Sequence, residues 1–102
     1  MSVEELKKRI VPIAKEYGVG KVALFGSVAK GLFKEDSDID ILIERGELRG
    51  MFSFGSFIKK LEDSLETHID LITYKSIENS LLKNSILSSE VVIYKQQGVI
   101  NK

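Results

Sequence analysis

The sequence predicts an α+β fold, a small mixed sheet of about four strands flanked by helices. Three observations carry this. Short β-branched runs recur along the chain: KVALF at 21–25, DIDILI at 38–43, HIDLIT at 68–73 and VVIYK at 91–95. Such residues favour strands because they pack well on a pleated, half-buried surface. Between the runs, apolar residues recur at three- and four-residue steps, the period of a helix with one buried face. The chain has 102 residues, a length that suits one domain over 1–102 with a single core.

The elements follow in order. Ser2 and Glu5 have the spacing of a helix capping box. Val3, Leu6, Ile10, Ile13, Ala14 and Tyr17 then make one apolar stripe, and Gly18 and Gly20 end the helix. Pro12 lies inside it and is expected to kink it or shift its boundary, because proline has no N–H and its ring crowds the preceding turn. KVALF is a strand stopped by Gly26. Residues 27–33 read as one or two helical turns and 34–37 as a polar turn. DIDILI is the second strand, and ERGELRG is a loop with two glycines. Phe54, Ile58, Leu61 and Leu65 mark a second amphipathic helix over roughly 51–66. HIDLIT is the third strand. Ile77, Leu81, Leu82 and Ile86 suggest helical turns before the last strand, VVIYK. No repeat, low-complexity tract or linker is visible.

Composition narrows the function. Lys plus Arg number 15 and Asp plus Glu number 15, so no net field argues for direct nucleic-acid or membrane binding. Short basic clusters such as Lys7-Lys8-Arg9 and Lys59-Lys60 read as solvated helix faces. Cysteine is absent and histidine occurs once, which excludes disulfides, thiolate metal sites and a multi-histidine zinc site. The N-terminus is charged and amphipathic, without the apolar core of a signal peptide, and no apolar run approaches transmembrane length. A cytoplasmic location is expected.

The chemistry concentrates in GSVAKGLFKEDSDIDILI, residues 26–43. Asp38 and Asp40 sit two apart on an expected strand, so both carboxylates share one face while Ile39, Ile41 and Ile43 face a core. Two like charges held together are costly unless a cation compensates them. A hard, oxygen-preferring ion such as Mg²⁺ suits them and brings substrate phosphates as further ligands. Asp70 lies in a similar setting between Ile69 and Leu71. If its strand neighbours the first, three carboxylates could hold two metals about 4 Å apart, the arrangement used for in-line phosphoryl chemistry. Gly26-Ser27, at a strand-to-helix turn, lets a phosphate approach the backbone closely and offers free N–H groups and a hydroxyl.

Simpler readings exist for each part. A strand-edge aspartate is often only solvated, and a Gly-Ser pair is often only a turn. The conjunction of three acids interrupting two β runs downstream of that turn is harder to explain so. An EF-hand loop matches Asp36, Asp38, Asp40 and Glu47 but needs glycine where Ile41 stands. Ser27 as a nucleophile would need His68 as base, whose parity puts it on the face of Asp70; a solvent-exposed histidine at a strand end is the simpler reading. Phe52, Phe54 and Phe57 read as core plus helix edge.

GS, ten residues, then DID resembles the signature of the DNA polymerase β-like nucleotidyltransferase superfamily. The compact length resembles its minimal nucleotidyltransferase (MNT) branch. The likeness extends over VALFGS, SDIDILI, HIDLIT and ILSSEVVIYK, nearly the whole chain. The resemblance implies that Asp38, Asp40 and Asp70 bind two Mg²⁺ ions and that Gly26 and Ser27, with Lys30, hold the nucleotide's phosphates. It also implies an antitoxin role beside a HEPN ribonuclease toxin, with transfer of AMP from ATP to a tyrosine of that partner. A domain this small leaves little protein to enclose base, sugar and acceptor together, which fits a partner. One departure stands out: the family's GSRARG is GSVAKG here. Val28 replaces one arginine, and Lys30 keeps the other's charge without its bidentate fork. Two alternatives remain, a non-catalytic antitoxin that masks its toxin by binding and a transferase for a small hydroxylated molecule. Enzymes of the latter kind usually carry an extra helical domain.

Overall fold

The structure is a computed structural model that describes residues 2–31 and 38–96; for Ser27 the description is of the backbone. The expected polar turn at 34–37 lies outside the described residues, as do residues 32 and 33 of the expected short helix. The elements are α1 (Val3–Tyr17), β1 (Lys21–Phe25), α2 (Gly26–Ala29), β2 (Ile39–Glu44), α3 (Met51–Leu65), β3 (Ile69–Thr73), a 3₁₀ turn (Lys75–Ile77), α4 (Lys83–Ser89) and β4 (Val91–Lys95). The four strands form one mixed sheet in the order β3-β2-β1-β4. β1 pairs antiparallel with β2 and β4, whereas β2 and β3 are parallel. None of the described helices is long and apolar enough to cross a membrane.

Strand alternation divides the core. Val22, Leu24, Ile39, Ile41, Ile43, Ile69 and Ile93 pack with Leu6, Ile10 and Ala14 of α1 and Phe57, Leu61 and Leu65 of α3. The other face carries a smaller cluster, Ala23, Leu42 and Ile77, with Phe25, Ile72, Tyr74, Ile86 and Leu87 packed against it. The two long helices are tied together by polar contacts. The Tyr17 hydroxyl and Ser56 Oγ are 2.8 Å apart, Lys60 donates to Glu16 at 3.0 Å, and Arg9 Nη1 donates to the Ser64 carbonyl at 2.9 Å.

The expected N-terminal cap is present, with Ser2 Oγ accepting from the Glu5 N–H at 3.1 Å. Helix α1 runs unbroken through Pro12, so the expected boundary shift does not occur. A proline inside a helix costs about 3 kcal/mol. Burial of Leu6, Ile10, Ile13 and Ala14 on both sides of it, at about 1.5–3 kcal/mol for a large side chain, outweighs that cost. The segment after β3 also differs from expectation. It breaks into a 3₁₀ turn and a short α4, and it leaves Leu81 and Leu82 exposed. Only Ile77 of its four apolar residues is buried, because the small second face offers little area to cover. Phe57 is core as expected, while Phe52 is exposed.

Glu66 ends α3 at φ 54°, ψ 40°, and its N–H donates to the Glu62 carbonyl at 2.7 Å. This is the left-handed region, which costs a residue with a Cβ about 1–2 kcal/mol. Glycine there removes that strain but loosens the unfolded chain by about 0.4–1 kcal/mol. The strain is the larger effect, so Glu66→Gly is expected to stabilise the protein by about 0.5–1 kcal/mol. Urea unfolding with an unchanged slope and a higher midpoint would show it; a lower midpoint would refute it.

Candidate active site

Three chain ends converge at one end of the sheet: the exit of β1 and the entries of β2 and β3. Phe25 lies opposite Asp40 in the antiparallel ladder, and Asp40 lies opposite Asp70 in the parallel one. Asp40 and Asp70 therefore stand side by side on β2 and β3, and Gly26, the first residue after β1, completes a row with them against Asp40. Cross-strand partners share a face, so the acids stand on the side of the smaller cluster, away from Ile39, Ile41 and Ile43. This is the division of faces that DIDILI predicts.

Asp40 and Asp70 are in direct contact. The Asp40 carboxyl is held above its ordinary value, first by partial burial, then by the negative charge of Asp70, a hydrogen bond with Asp70 and the charge of Asp38. Gly26 closes the row from the other side at φ 72°. A Cβ on Gly26 would clash with Asp40 Oδ2, so a larger residue there displaces that carboxylate from where it stands. Asp38 is placed differently from expectation. It precedes β2 by one residue, is exposed and has no ladder partner, because β1 ends opposite Asp40 and β3 begins opposite Ile39. Among the described residues, no three His, Cys, Asp or Glu side chains are gathered closely enough to hold a metal as they stand. The structure brings Asp40 and Asp70 together, with Asp38 acting on Asp40 through its charge.

The donor chemistry nonetheless fits Mg²⁺. The acids offer only oxygen, they repel one another, and none of the ion pairs among the described residues involves them. Ser27 lies in α2, a helix of 4 residues, so a phosphate there would meet backbone N–H groups more than a helix dipole. Lys30 follows α2 in an exposed turn. Val28, where the family has arginine, is 2% exposed and packs in the larger cluster. It is a core residue here and holds no position from which to meet a nucleotide.

His68 lies just before β3 rather than inside it, so strand parity does not govern its side chain. Its Nδ1 stands 3.1 Å from Glu62 Oε2 of α3, the helix that covers the opposite face from Asp70. The same Glu62 oxygen accepts from the Ile69 N–H at 3.1 Å. The Glu62 carboxyl is held below its ordinary value, chiefly by that N–H and further by His68. Sequence reasoning missed Glu62, because nothing local marks a helix glutamate that caps a strand seven residues later. Within the acid row Asp70 is exposed and Asp40 half-buried. A groove of about 880 Å³ lies elsewhere, between α1 and α3 beside Ile13, Tyr17, Met51 and Phe52.

A mixed four-stranded sheet that sets a Gly-Ser turn against paired strand aspartates defines a small nucleotidyl-transferring enzyme. The chain belongs to the nucleotidyltransferase domain family, whose pattern matches residues 4–93. MJ0435, a candidate protein adenylyltransferase of Methanocaldococcus jannaschii, is 41% identical over 91 residues, spanning 89% of this chain and 97% of the relative. The protein adenylyltransferase MntA of Thermococcus cleftensis is 31% identical over 87 residues, 81% of this chain and 88% of its own. Among solved structures, a candidate minimal nucleotidyltransferase superposes with a TM-score of 0.75 at 26% identity, covering 89% of this chain and 95% of the other. A chain of a toxin–antitoxin crystal structure with AMP-PNP superposes with a TM-score of 0.72 at 20% identity, covering 89% and 74%. A chain of the complex of a tri-AMPylated Shewanella oneidensis HEPN toxin with MNT antitoxin gives 0.67 at 18% identity, covering 92% and 73%. The last two likenesses concern the fold alone.

Proposed function

We propose that this protein is a Mg²⁺-dependent protein adenylyltransferase that acts as an antitoxin, moving AMP from ATP to a hydroxyl, that of a tyrosine, on a HEPN ribonuclease partner. The observation that carries the reading is the row of Gly26, Asp40 and Asp70. Family membership supports the reaction class, and relatives named as adenylyltransferases support the transferred group. The partner is the one that the resemblance to minimal nucleotidyltransferases implies; a chain of the same fold belongs to a complex of MNT antitoxin with a tri-AMPylated HEPN toxin.

In this reading Asp38, Asp40 and Asp70 hold the metal, and Gly26, Ser27 and Lys30 meet the triphosphate. Bound Mg²⁺ would supply charge neutralisation for the α-phosphate and the departing pyrophosphate. The acceptor oxygen bonds to the α-phosphorus, the bond to the β-phosphate oxygen breaks, and pyrophosphate leaves. Asp70, exposed on the edge strand, would take the proton of the acceptor hydroxyl. Gly26 keeps the Asp40 carboxylate beside the phosphate turn.

The test is incubation of the purified protein and its cognate partner with α-labelled ATP and Mg²⁺. Label is expected on the partner, dependent on Mg²⁺ and lost with Asp38→Ala. An unlabelled partner, or label undiminished by that substitution, would sink the reading. Toxin protection that persists in cells with Asp38→Ala and Asp40→Ala would favour masking by binding alone.

A further inference from the structure

We propose that Glu62 is a positioning residue for the acid row: its carboxylate clamps the peptide that opens β3, and through it sets Asp70 against Asp40. The inference rests on the nucleotidyltransferase reading above. Asp40 and Asp70 are each the second residue of their strands, where a ladder is free to fray. The peptide between His68 and Ile69 is held on both sides. Its N–H donates to Glu62 Oε2 at 3.1 Å, and its carbonyl accepts from the Ile39 N–H at 3.1 Å. Glu62, the 68–69 peptide and Ile39 thus form one hydrogen-bonded chain, whose members polarise one another. One residue further along each strand stand Asp40 and Asp70, in register.

The anchor sits on a packed part of α3. Glu62 lies between buried Leu61 and the last turn of α3, where Leu65 is also buried, and Arg9 ties that turn to α1 through the Ser64 carbonyl. His68 adds a second contact to the same carboxylate oxygen but is itself exposed. The clamp needs an acceptor oxygen at position 62 more than it needs the imidazole.

The experiment uses the full chain with Glu62→Ala, Glu62→Gln, His68→Ala and, as a remote stability control, Ile10→Val. Amide exchange at Ile39 and Ile69 is measured by NMR without metal, and affinity is measured with Mn²⁺ as probe. Glu62→Ala is expected to speed exchange at both amides about tenfold and to weaken Mn²⁺ binding about tenfold, the lower range for loss of a group that orients metal ligands. Glu62→Gln, which keeps an acceptor oxygen, is expected to restore most of both, and His68→Ala to stay near wild type. Wild-type exchange at Ile39 in Glu62→Ala, or equal loss of Mn²⁺ affinity in Ile10→Val, would overturn the proposal. If wild type itself binds no Mn²⁺, the metal-dependent reading fails, and amide exchange still decides whether Glu62 clamps the strand.

Discussion

Asp40→Asn is expected to remove AMP transfer and, at the same time, to stabilise the protein in metal-free buffer. The two effects have one cause. Asp40 is partly buried against Asp70, with the charge of Asp38 nearby, so its ionised form is penalised in the folded chain. Asparagine removes the repulsion and, in the proposed mechanism, also a metal ligand. Loss of that ligand is expected to lower the rate at least about 10³-fold, equivalent to about 4 kcal/mol. The stability gain is smaller, about 0.5 kcal/mol, because the carboxyl is only partly buried and solvent screens the charges.

The pH dependence follows. A carboxyl raised above 3.8 keeps its proton in the folded state after the unfolded chain has released it. Folding stability therefore falls as pH rises from about 4 through the folded value, and the full penalty persists at neutral pH. Asp40→Asn lacks this penalty, so its advantage grows across that window. Mg²⁺ is expected to raise the melting temperature of wild type and to leave Asp40→Asn unmoved. Thermal melts in EDTA and in Mg²⁺ decide it: a variant less stable than wild type in EDTA would contradict the arrangement of charges.

Gly26→Ala is expected to lower both stability and activity, and the comparison with Gly31→Ala separates two causes. Both glycines have positive φ, 72° and 75°. Either alanine meets the left-handed backbone cost of about 1–2 kcal/mol. At Gly31 no described residue lies within 4 Å of the added Cβ, whereas at Gly26 the Cβ meets the Asp40 carboxylate. Gly31→Ala should show the backbone cost alone. Gly26→Ala should also push Asp40 out of the row, with a melting temperature lower by about 5–10 °C or more and kcat/KM lower by about 10²-fold, the scale for misplacing a catalytic group by 1 Å. Equal losses in the two variants would mean that the Gly26–Asp40 contact has no part in the site.

Much of this was legible before the fold was known, because it depends on local spacing. The helical stripe of α1, its Ser2 cap and the alternation in DIDILI are consequences of residues a few positions apart. They predicted four strands, the core face of Ile39, Ile41 and Ile43, and the opposite face for Asp40. Local rules failed where burial area decided. Pro12 sits in an unbroken helix because its neighbours are buried, and Leu81 and Leu82 are exposed because the second face is small. The buried Val28 belongs with these, since its role comes from packing rather than from the motif around it.

The residue types of the candidate site and their order along the chain are therefore properties of the sequence alone: a Gly-Ser turn, then Asp38 and Asp40, then Asp70. Only the tertiary structure decided how they meet. That β2 and β3 run parallel, that Asp40 opposes Asp70, that Gly26 abuts Asp40 and that Glu62 reaches the first amide of β3 all depend on strand register and helix docking. Those are set by packing among residues distant in the chain, and no short-range period encodes them.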